Sequence, residues 1–540
     1  MATGKNPGKH GIFDFIKRDQ KNYMPELSIS RPQSTIFGTR YKPGFDEKAF
    51  WDFTGENNIP TTIIRWPITF SPKIKGKMLS GLGVPDIRGN LAGYTIYSSV
   101  DMPAPEKPSN RLILVKLKNN SAKTEIIGPY LRKGYEVSNV NAVMGLKIDD
   151  DKVSITVNSK NYLVKEKNWS DWVEIEFKVN PIKKVRGIAK AYVQSINPLR
   201  IYFTAIHIDP KNPLVDISWP KGYSKSLSSE IGLFSTLGMP EETDGYIDGN
   251  LDRDGFLSLI DELENEKETL FWHEFKEFKS SKNGVYAFVF DASDRLQHVM
   301  SEEKELYKNQ PIVDYYVKKD GFLGKVLDNL DDDTLLLIVS DHGFSTFNRA
   351  VSVNNWLVEN GFMKLDGNID DSGPLFKNVD WNRTEAYSLG FTSIFINQKD
   401  REAKGIVTDR DKVSDKLLSK LRELKDTDGK KVFYNVYRRE DIYKGGFVND
   451  APDIIIGFNP GFRMAWQNAI GGFSPETIMD NDKKWKGDHL IDPKFVPGVL
   501  FSNEKFNASS ASLMDVAPTV LDAFGIRYSA EIDGHTLFSK

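Results

Sequence analysis

Carboxylates and histidines occur together at three places in this sequence. The three groups are Asp294 with His298, Asp341 with His342, and Asp488 with His489. A helix at the first group would place its two side chains on one face, because residues four apart are neighbours on a helix. Imidazole nitrogens and carboxylate oxygens suit a divalent metal such as zinc. Each group taken alone is equally typical of an ordinary polar turn, so the prediction of a metal site depends on all three together.

Each group lies beside an apolar run that predicts a buried β-strand. The three runs are 285–290, 335–339 and 499–501. Parallel sheets bind ligands at the carboxyl ends of their strands, so a mostly parallel sheet would bring the three groups to one edge. The pattern therefore predicts a metal centre whose ligands are Asp294, His298, Asp341, His342 and His489. Since one metal rarely uses so many ligands, we expect two divalent ions about 4 Å apart.

Two further carboxylates adjoin the predicted ligands. Asp291 follows the first strand run, and Asp488 directly precedes His489. Carboxylates next to metal ligands commonly orient an imidazole through its second nitrogen. We therefore interpret both as partners of the metal ligands rather than as ligands.

Composition excludes several classes of protein. The 540 residues include 39% hydrophobic and 27% charged residues, an ordinary globular balance with a net charge of -3, so no overall basic field favours nucleic acid. The absence of cysteine excludes disulfides, thiolate metal sites and cysteine nucleophiles. No apolar run approaches the roughly 18 residues of a membrane span, and the first ten residues lack a signal-peptide core. We expect a soluble chain, whose compartment and oligomeric state the sequence does not determine.

The chain divides into three parts by the period of its hydrophobic pattern. Residues 1–105 begin an α/β domain with a helix at 47–57 and a strand at 59–67, followed by a glycine-rich stretch, 71–100, that predicts a structured loop. Residues 106–210 alternate with period two and show no helical pattern, which predicts a β-sandwich-like insertion. Residues 211–540 return to alternating helices and strands and complete the α/β domain. The predicted fold class is therefore α/β, with a mostly parallel central sheet flanked by helices and a β-rich insertion.

The motifs resemble those of the alkaline phosphatase superfamily, in its type I phosphodiesterase/nucleotide pyrophosphatase branch. The matching segments are Asp294-Arg295-Leu296-Gln297-His298, Ser340-Asp341-His342-Gly343-Phe344, Gly487-Asp488-His489, Asn6-Pro7-Gly8-Lys9-His10-Gly11, Trp66-Pro67, Asp515-Val516-Ala517-Pro518-Thr519-Val520-Leu521, Gly525-Ile526 and Asp533-Gly534. The resemblance covers nearly the whole chain apart from the insertion. It implies an alkaline phosphatase-like fold.

The resemblance also implies a role for each ligand. Asp294, His298 and His489 would hold one ion, and Asp341 and His342 would hold part of the second. The expected ions are zinc, with manganese as the alternative. The implied activity is hydrolysis of phosphodiester or nucleotide pyrophosphate bonds in a small phosphorylated or nucleotide substrate, through a covalent intermediate on a Ser or Thr nucleophile.

The start of the chain departs from the family pattern. In the family, a metal-binding Asp and the nucleophile precede a Thr-Gly segment, which Thr3-Gly4 matches here. The nucleophile is therefore expected upstream of Met1, and residues 1–105 are expected to be N-terminally incomplete. A late start codon, a split or truncated gene and an altered protein all account for this, and we favour a missing N-terminal piece. The chain as it stands is expected to bind one ion well and the second weakly, with little or no hydrolysis.

Other functions are also compatible with this sequence. The same superfamily includes enzymes that act on phosphomonoesters, sulfate esters and phosphonates, although the absence of cysteine argues against sulfatases with a cysteine-derived nucleophile. The alternative from a different class of function is a catalytically inactive binding protein on the same fold, which uses the insertion as its interaction surface.

Overall fold

Helices alternate with short strands on either side of a long segment made of strands. The computed structural model describes residues 1–35, 38–133, 136–281, 283–301, 308–507, 510–528 and 530–538. Contacts divide the chain into a first unit, Met1–Arg31 with Gly44–Phe53 and Leu296–Lys540, and a second unit, Pro32–Pro43 with Thr54–Arg295. The helices Phe50–Glu56 and Ala292–Met300 continue across the unit boundaries.

The second unit carries a parallel sheet with helices packed on it. Thr61–Trp66 lies between Lys77–Ser80 and Val285–Phe288 and runs parallel to both. Ile63 and Ile64 of the central strand are fully buried, as expected for a strand covered on both faces. Side chains of the helices Tyr223–Ile231 and Arg253–Ser280 pack against this sheet through a shared apolar cluster. The remaining helix contained in this unit is Thr243–Ile247.

Several strands of residues 106–210 show the predicted alternation, whereas Ala191–Ile196 and Leu199–Phe203 do not, and the described part of this segment contains no helix. Along Ala142–Asp149, Lys152–Val157 and Val173–Lys178, buried and more exposed residues alternate, and the buried ones form one apolar core. Most of these strands pair antiparallel. The other strands of the second unit are Ser30–Thr35, Gly38–Pro43, Thr95–Ser98, Arg111–Leu114, Ser121–Ile126, Tyr130–Lys133, Glu136–Asn139, Lys160–Lys165, Lys184–Ala189, Ala191–Ile196, Leu199–Phe203, His207–Ile208 and Ser218–Trp219.

The loop predicted at 71–100 is wrong in part. This stretch contains the strands Lys77–Ser80 and Thr95–Ser98. Each has four residues beside glycines, too short a run to show a period-two pattern. All four residues of Thr95–Ser98 are buried, so alternation is absent as well.

The first unit contains several small sheets and most of the helices. Its helices are Pro7–His10, Gln310–Asp328, Val353–Glu359, Arg410–Glu423, Arg439–Ile442, Trp466–Ala469 and Val516–Ala523. Its strands are Ile16–Arg18, Pro25–Leu27, Leu337–Val339, Ser345–Val351, Ala386–Ser388, Ser393–Ile396, Phe433–Arg438, Ile454–Phe458, Gly461–Met464, Ile478–Asp480, Gly487–Asp488 and Leu500–Ser502. Its largest core lies where the helix Arg410–Glu423 packs on the sheet that contains Phe433–Arg438 and Ile454–Phe458.

The strand Leu337–Val339 leads directly to Asp341 and His342. Among the described residues, its hydrogen-bonded partner is Leu500–Ser502, and the two run antiparallel. This differs from the parallel neighbours that the sequence pattern predicts for this strand. The chain after His489 returns through the short turn Pro493–Phe495 and so meets the strand from the opposite direction. None of the described helices combines the length with the apolar character that a bilayer span requires.

Candidate metal centre

The helix Ala292–Met300 carries the first predicted pair of ligands. It begins shortly after the strand Val285–Phe288, with Asp294 in its first turn and His298 in its last. The helical spacing places both side chains on the same face. His298 is 2% exposed, and its Nδ1 lies 2.8 Å from the carbonyl oxygen of Gly487. Because Nδ1 is engaged there, Nε2 is the ring nitrogen left to bind a metal.

The short strand Gly487–Asp488 brings His489 to this helix. It pairs antiparallel with the start of Ser345–Val351, the strand that follows Asp341 and His342. Lys486 also donates its backbone N–H to the carbonyl of His298 at 2.9 Å. A Cβ at position 487 would collide with the carbonyl of Gln297, so glycine allows the close approach.

Three of the predicted ligands converge. Asp294, His298 and His489 each offer one ligand atom, and these atoms lie within 4.8 Å of one another. Two imidazoles and one carboxylate form a donor set typical of zinc sites that keep an open position. The residues present therefore fit a divalent ion at this point.

Asp341 and His342 lie outside this convergent group but beside it. The ring of His342 stacks on the ring of His489, with centroids 3.5 Å apart and planes 10° apart. Nε2 of His342 lies 3.5 Å from a carboxylate oxygen of Asp341, whose side chain is 69% exposed. Nδ1 of His342 faces the carbonyl of Gly343 at 3.0 Å. These two residues thus form a second acid–histidine pair next to the first.

Aromatic rings enclose the histidines. Trp485 stacks on His298 with centroids 3.8 Å apart, and the ring of Phe344 meets His298, His342 and His489 edge to face. Phe344 belongs to the motif Ser340-Asp341-His342-Gly343-Phe344, whereas Trp485 lies outside the motifs that predicted the ligands. Trp485 lies four residues before His489 in the sequence, which is the signal that could have suggested a contact with the ligands. The two residues lie in a loop, and the sequence does not reveal the shape of that loop.

Asp488 forms a buried ion pair with Arg463, and both residues are at most 2% exposed. Its Oδ2 also accepts the indole N–H of Trp485 at 3.0 Å, and its Oδ1 accepts the backbone N–H groups of His489 and Leu490. Burial alone would raise the pKa of this carboxyl, but Arg463, together with His298 and His489, lowers it well below its usual range. Asp488 therefore contacts the backbone of His489 and the indole of Trp485, which stacks on His298. The sequence predicted a contact with an imidazole instead.

Asp291 is engaged in a separate ion-pair network. Its carboxylate contacts Lys267 at 2.5 Å and Arg65 at 3.0 Å, and Lys267 also contacts Glu241 at 2.7 Å. Burial favours a raised pKa for Asp291, but Arg65 and Lys267 together lower it strongly. Its described contacts are with these cations, so the predicted imidazole partner is not found among them.

Comparison with known proteins assigns the sequence to a family. The family model for type I phosphodiesterase / nucleotide pyrophosphatase matches residues 188–489, more than half of the chain. The matched region contains all five predicted ligands and ends at His489.

Among solved structures, the chain is similar to human ectonucleotide pyrophosphatase / phosphodiesterase 5, with 16% identity and a TM-score of 0.26. That alignment covers 45% of this chain and 54% of the human protein, so it spans about half of its length. No curated protein matches the sequence. On the family match, the chain belongs to the type I phosphodiesterase / nucleotide pyrophosphatase family, a branch of the alkaline phosphatase superfamily.

Proposed function

We propose that this protein is a metal-dependent hydrolase of phosphodiester or nucleotide pyrophosphate bonds. The observation that carries the proposal is the convergence of one ligand atom each from Asp294, His298 and His489 within 4.8 Å. Family membership supports the same chemistry. The substrate would be a small phosphorylated compound or a nucleotide.

The proposed centre holds two divalent ions. Asp294, His298 and His489 would bind the first, and Asp341 and His342 would contribute to the second. Zinc fits the nitrogen and oxygen donors, and manganese is the alternative. The bound ions would supply Lewis-acid stabilisation of negative charge that develops on the phosphoryl oxygens.

The surrounding residues have distinct tasks in this proposal. The Gly487 carbonyl selects the ring nitrogen of His298 that faces the ion, since it engages the other one. Trp485 and Phe344 restrict water at the rings and limit their rotation. Asp488 holds the backbone of His489 in place. These contacts preorganise the ligands before any metal arrives.

The proposed fold behind this centre is alkaline phosphatase-like, with a mostly parallel central sheet and residues 106–210 as a β-rich insertion. Support comes from the parallel pairing of Thr61–Trp66 with Lys77–Ser80 and Val285–Phe288, and from the helices packed on that sheet. The all-strand character of residues 106–210 supports the insertion.

Metal binding by purified, chelator-treated protein tests the proposed centre. We expect zinc titration by calorimetry to show at least one tight site in the wild type, and its loss in His298→Ala and His489→Ala. His273→Ala is the matched control, because His273 lies on the helix Arg253–Ser280 and contacts Glu230 at 3.3 Å. Unchanged zinc binding in both ligand variants would refute the assignment.

Hydrolysis assays test the reaction class. A chromogenic phosphodiester and the matching monoester are assayed side by side with zinc and with manganese. Preference for the diester supports the proposal, whereas preference for the monoester favours another reaction of the superfamily. Tight metal binding without turnover of either ester, also in a chain extended upstream of Met1, would favour a catalytically inactive binding protein instead.

A further inference from the structure

A polar cavity lies in the first unit, among residues that neither the family motifs nor the proposed metal centre uses. Its volume is about 430 Å³, and its lining residues are Gln398, Arg401, Arg410, Arg439, Glu440 and Asn449. A volume of this size is typical of sites for small ligands. We propose that this cavity binds a small polar phosphate ester, independently of the metal centre.

Three arginines converge there on a buried carboxylate. Asp453 is 2% exposed and accepts hydrogen bonds from Arg401 at 3.0 and 2.6 Å. Arg439 lies 3.2 Å and Arg410 3.8 Å from the same carboxylate. Asp453 also accepts the backbone N–H of Ile396 at 2.7 Å, which fixes it to the strand Ser393–Ile396. The guanidinium groups are therefore held in place by the fold before any ligand binds.

The charges are arranged asymmetrically around the cavity. All three arginines line it, whereas the buried acids Asp453 and Glu402 do not, so an anion inside would lie closer to the cations than to these two carboxylates. Glu440 is the one acid among the lining residues. The lining thus carries three cations and one acid, and this excess of positive charge favours an anionic ligand.

Arg410 has donors to spare for a ligand. Its terminal nitrogens bond Glu440 and Asp411, and among the described residues its Nε has no hydrogen-bond partner. A guanidinium carries five N–H donors in a fixed fork that matches phosphate oxygens. Arg410 is the arginine we expect to bind the ligand most directly.

The lining also indicates the kind of ester. It contains no aliphatic or aromatic side chain, so a nucleobase or an acyl chain would find no apolar surface. The amides of Gln398 and Asn449 can donate to and accept from hydroxyl groups. The ligand class is therefore a phosphate on a small hydroxylated carrier rather than a nucleotide.

Calorimetric titration of the full chain tests this site, with a chelator present so that the metal centre stays empty. The probes are inorganic phosphate, glycerol 3-phosphate and adenosine monophosphate. We expect glycerol 3-phosphate to bind at least as tightly as phosphate, and the nucleotide to gain nothing from its base. Nucleotide binding far tighter than glycerol 3-phosphate binding would overturn the ligand class, and no saturable binding of any probe would overturn the site.

Two variants separate ligand binding from a structural role of the ion pairs. Arg410→Gln should weaken glycerol 3-phosphate binding by about tenfold or more, since it removes charge-assisted hydrogen bonds, and Glu440→Gln should tighten it, since it removes the lining acid. Arg383→Gln is the matched control, because Arg383 is exposed and pairs with Asp380 outside the cavity. If the arginines had only a structural role, both cavity variants would bind glycerol 3-phosphate more weakly or both would bind it unchanged, and either result would refute the proposal.

The variant His489→Ala tests whether the cavity is independent of the metal centre. Retained glycerol 3-phosphate binding in this variant would separate the two sites, and lost binding would contradict their independence.

Discussion

At the scale of single residues, Asp488 acts on both histidines of the convergent group. One of its oxygens holds the backbone N–H of His489, and the other holds the indole of Trp485, which stacks on His298. The positive charge of Arg463 is what keeps this buried carboxylate ionised. The order of the proposed metal centre is therefore expected to depend on the ion pair between Asp488 and Arg463, neither of which is a proposed ligand.

Asp488→Asn tests this dependence. The substitution keeps the shape but removes the charge opposite Arg463, which would be left buried and unpaired at a cost of about 3–5 kcal/mol. We expect zinc affinity to fall by about 10- to 100-fold, as is usual when a partner of a metal ligand is changed. Zinc titration at a temperature where circular dichroism shows the variant folded measures this. The control is Asp482→Asn, an exposed acid nearby, and equal zinc affinity in both variants would contradict the proposed role.

Glu242 makes a prediction about pH in the second unit. Burial, as the largest effect, raises the pKa of its carboxyl to about 8, although Tyr202 and the backbone of Ala205 donate to it. Because this pKa lies above that of Glu242 in the unfolded chain, the folded protein binds one proton more than the unfolded chain between the two pKa values. The contribution of this proton to the free energy of unfolding is greatest at low pH and is lost as pH rises through about 8.

The measurable consequence is a slope of stability with pH. Between pH 5 and 8, Glu242 should lower the unfolding free energy by at most about 1.4 kcal/mol for each pH unit. The urea transition of the second unit, measured at several pH values, should show a smaller loss of unfolding free energy in Glu242→Gln than in the wild type. Glu277→Gln, at an exposed position of a helix, should keep the wild-type slope, and a Glu242→Gln slope equal to it would refute the prediction.

At the scale of elements, the proposed metal centre depends on how closely Gly487–Asp488 approaches the helix Ala292–Met300. Sequence motifs predicted both segments, because an acid and a histidine four apart and a Gly-Asp-His triplet are visible locally. Their convergence was predicted, but the backbone contact between Gly487 and Gln297 was not, since it arises through the pairing of Gly487–Asp488 with Ser345–Val351. Trp485 and Arg463 escaped prediction for the same reason.

Gly487→Ala probes this approach. The added methyl group would meet the Gln297 carbonyl and lie 2.8 Å from the hydroxyl of Ser301. Overpacking of this kind costs about 1–3 kcal/mol, and we expect zinc affinity to fall because His489 must move away from His298. Gly446→Ala is the matched control, since a Cβ there meets open space. Zinc affinity that is the same in both variants would show that the close approach does not position His489.

At the scale of the whole molecule, the sequence predicted element types better than their arrangement. The strands and helices of the α/β parts and the all-strand character of residues 106–210 followed from hydrophobic period, as at Arg410–Glu423 and Lys152–Val157. Strand partners did not, since the antiparallel pairing of Leu337–Val339 with Leu500–Ser502 joins segments whose direction no local pattern records. The division into 1–105, 106–210 and 211–540 stays a prediction beside the two contact-based units.

Metal binding should stabilise this molecule locally rather than throughout. A ligand that binds the folded state alone adds about 2.7 kcal/mol at a concentration 100 times its dissociation constant. In a chain with two compact units, no single unfolding transition reports that gain. Amide hydrogen exchange does, because each segment opens with its own free energy.

We therefore expect zinc to slow exchange at the segments that carry the ligands, and to leave the strands of residues 106–210 unchanged. The protected segments should be 292–300, 340–346 and 485–490. The protection should vanish in His489→Ala and persist in His273→Ala, since only the first variant removes a predicted ligand. Protection centred on residues 106–210 would mean that zinc binds elsewhere, and protection of 292–300 without 485–490 would mean that His298 and His489 do not share an ion.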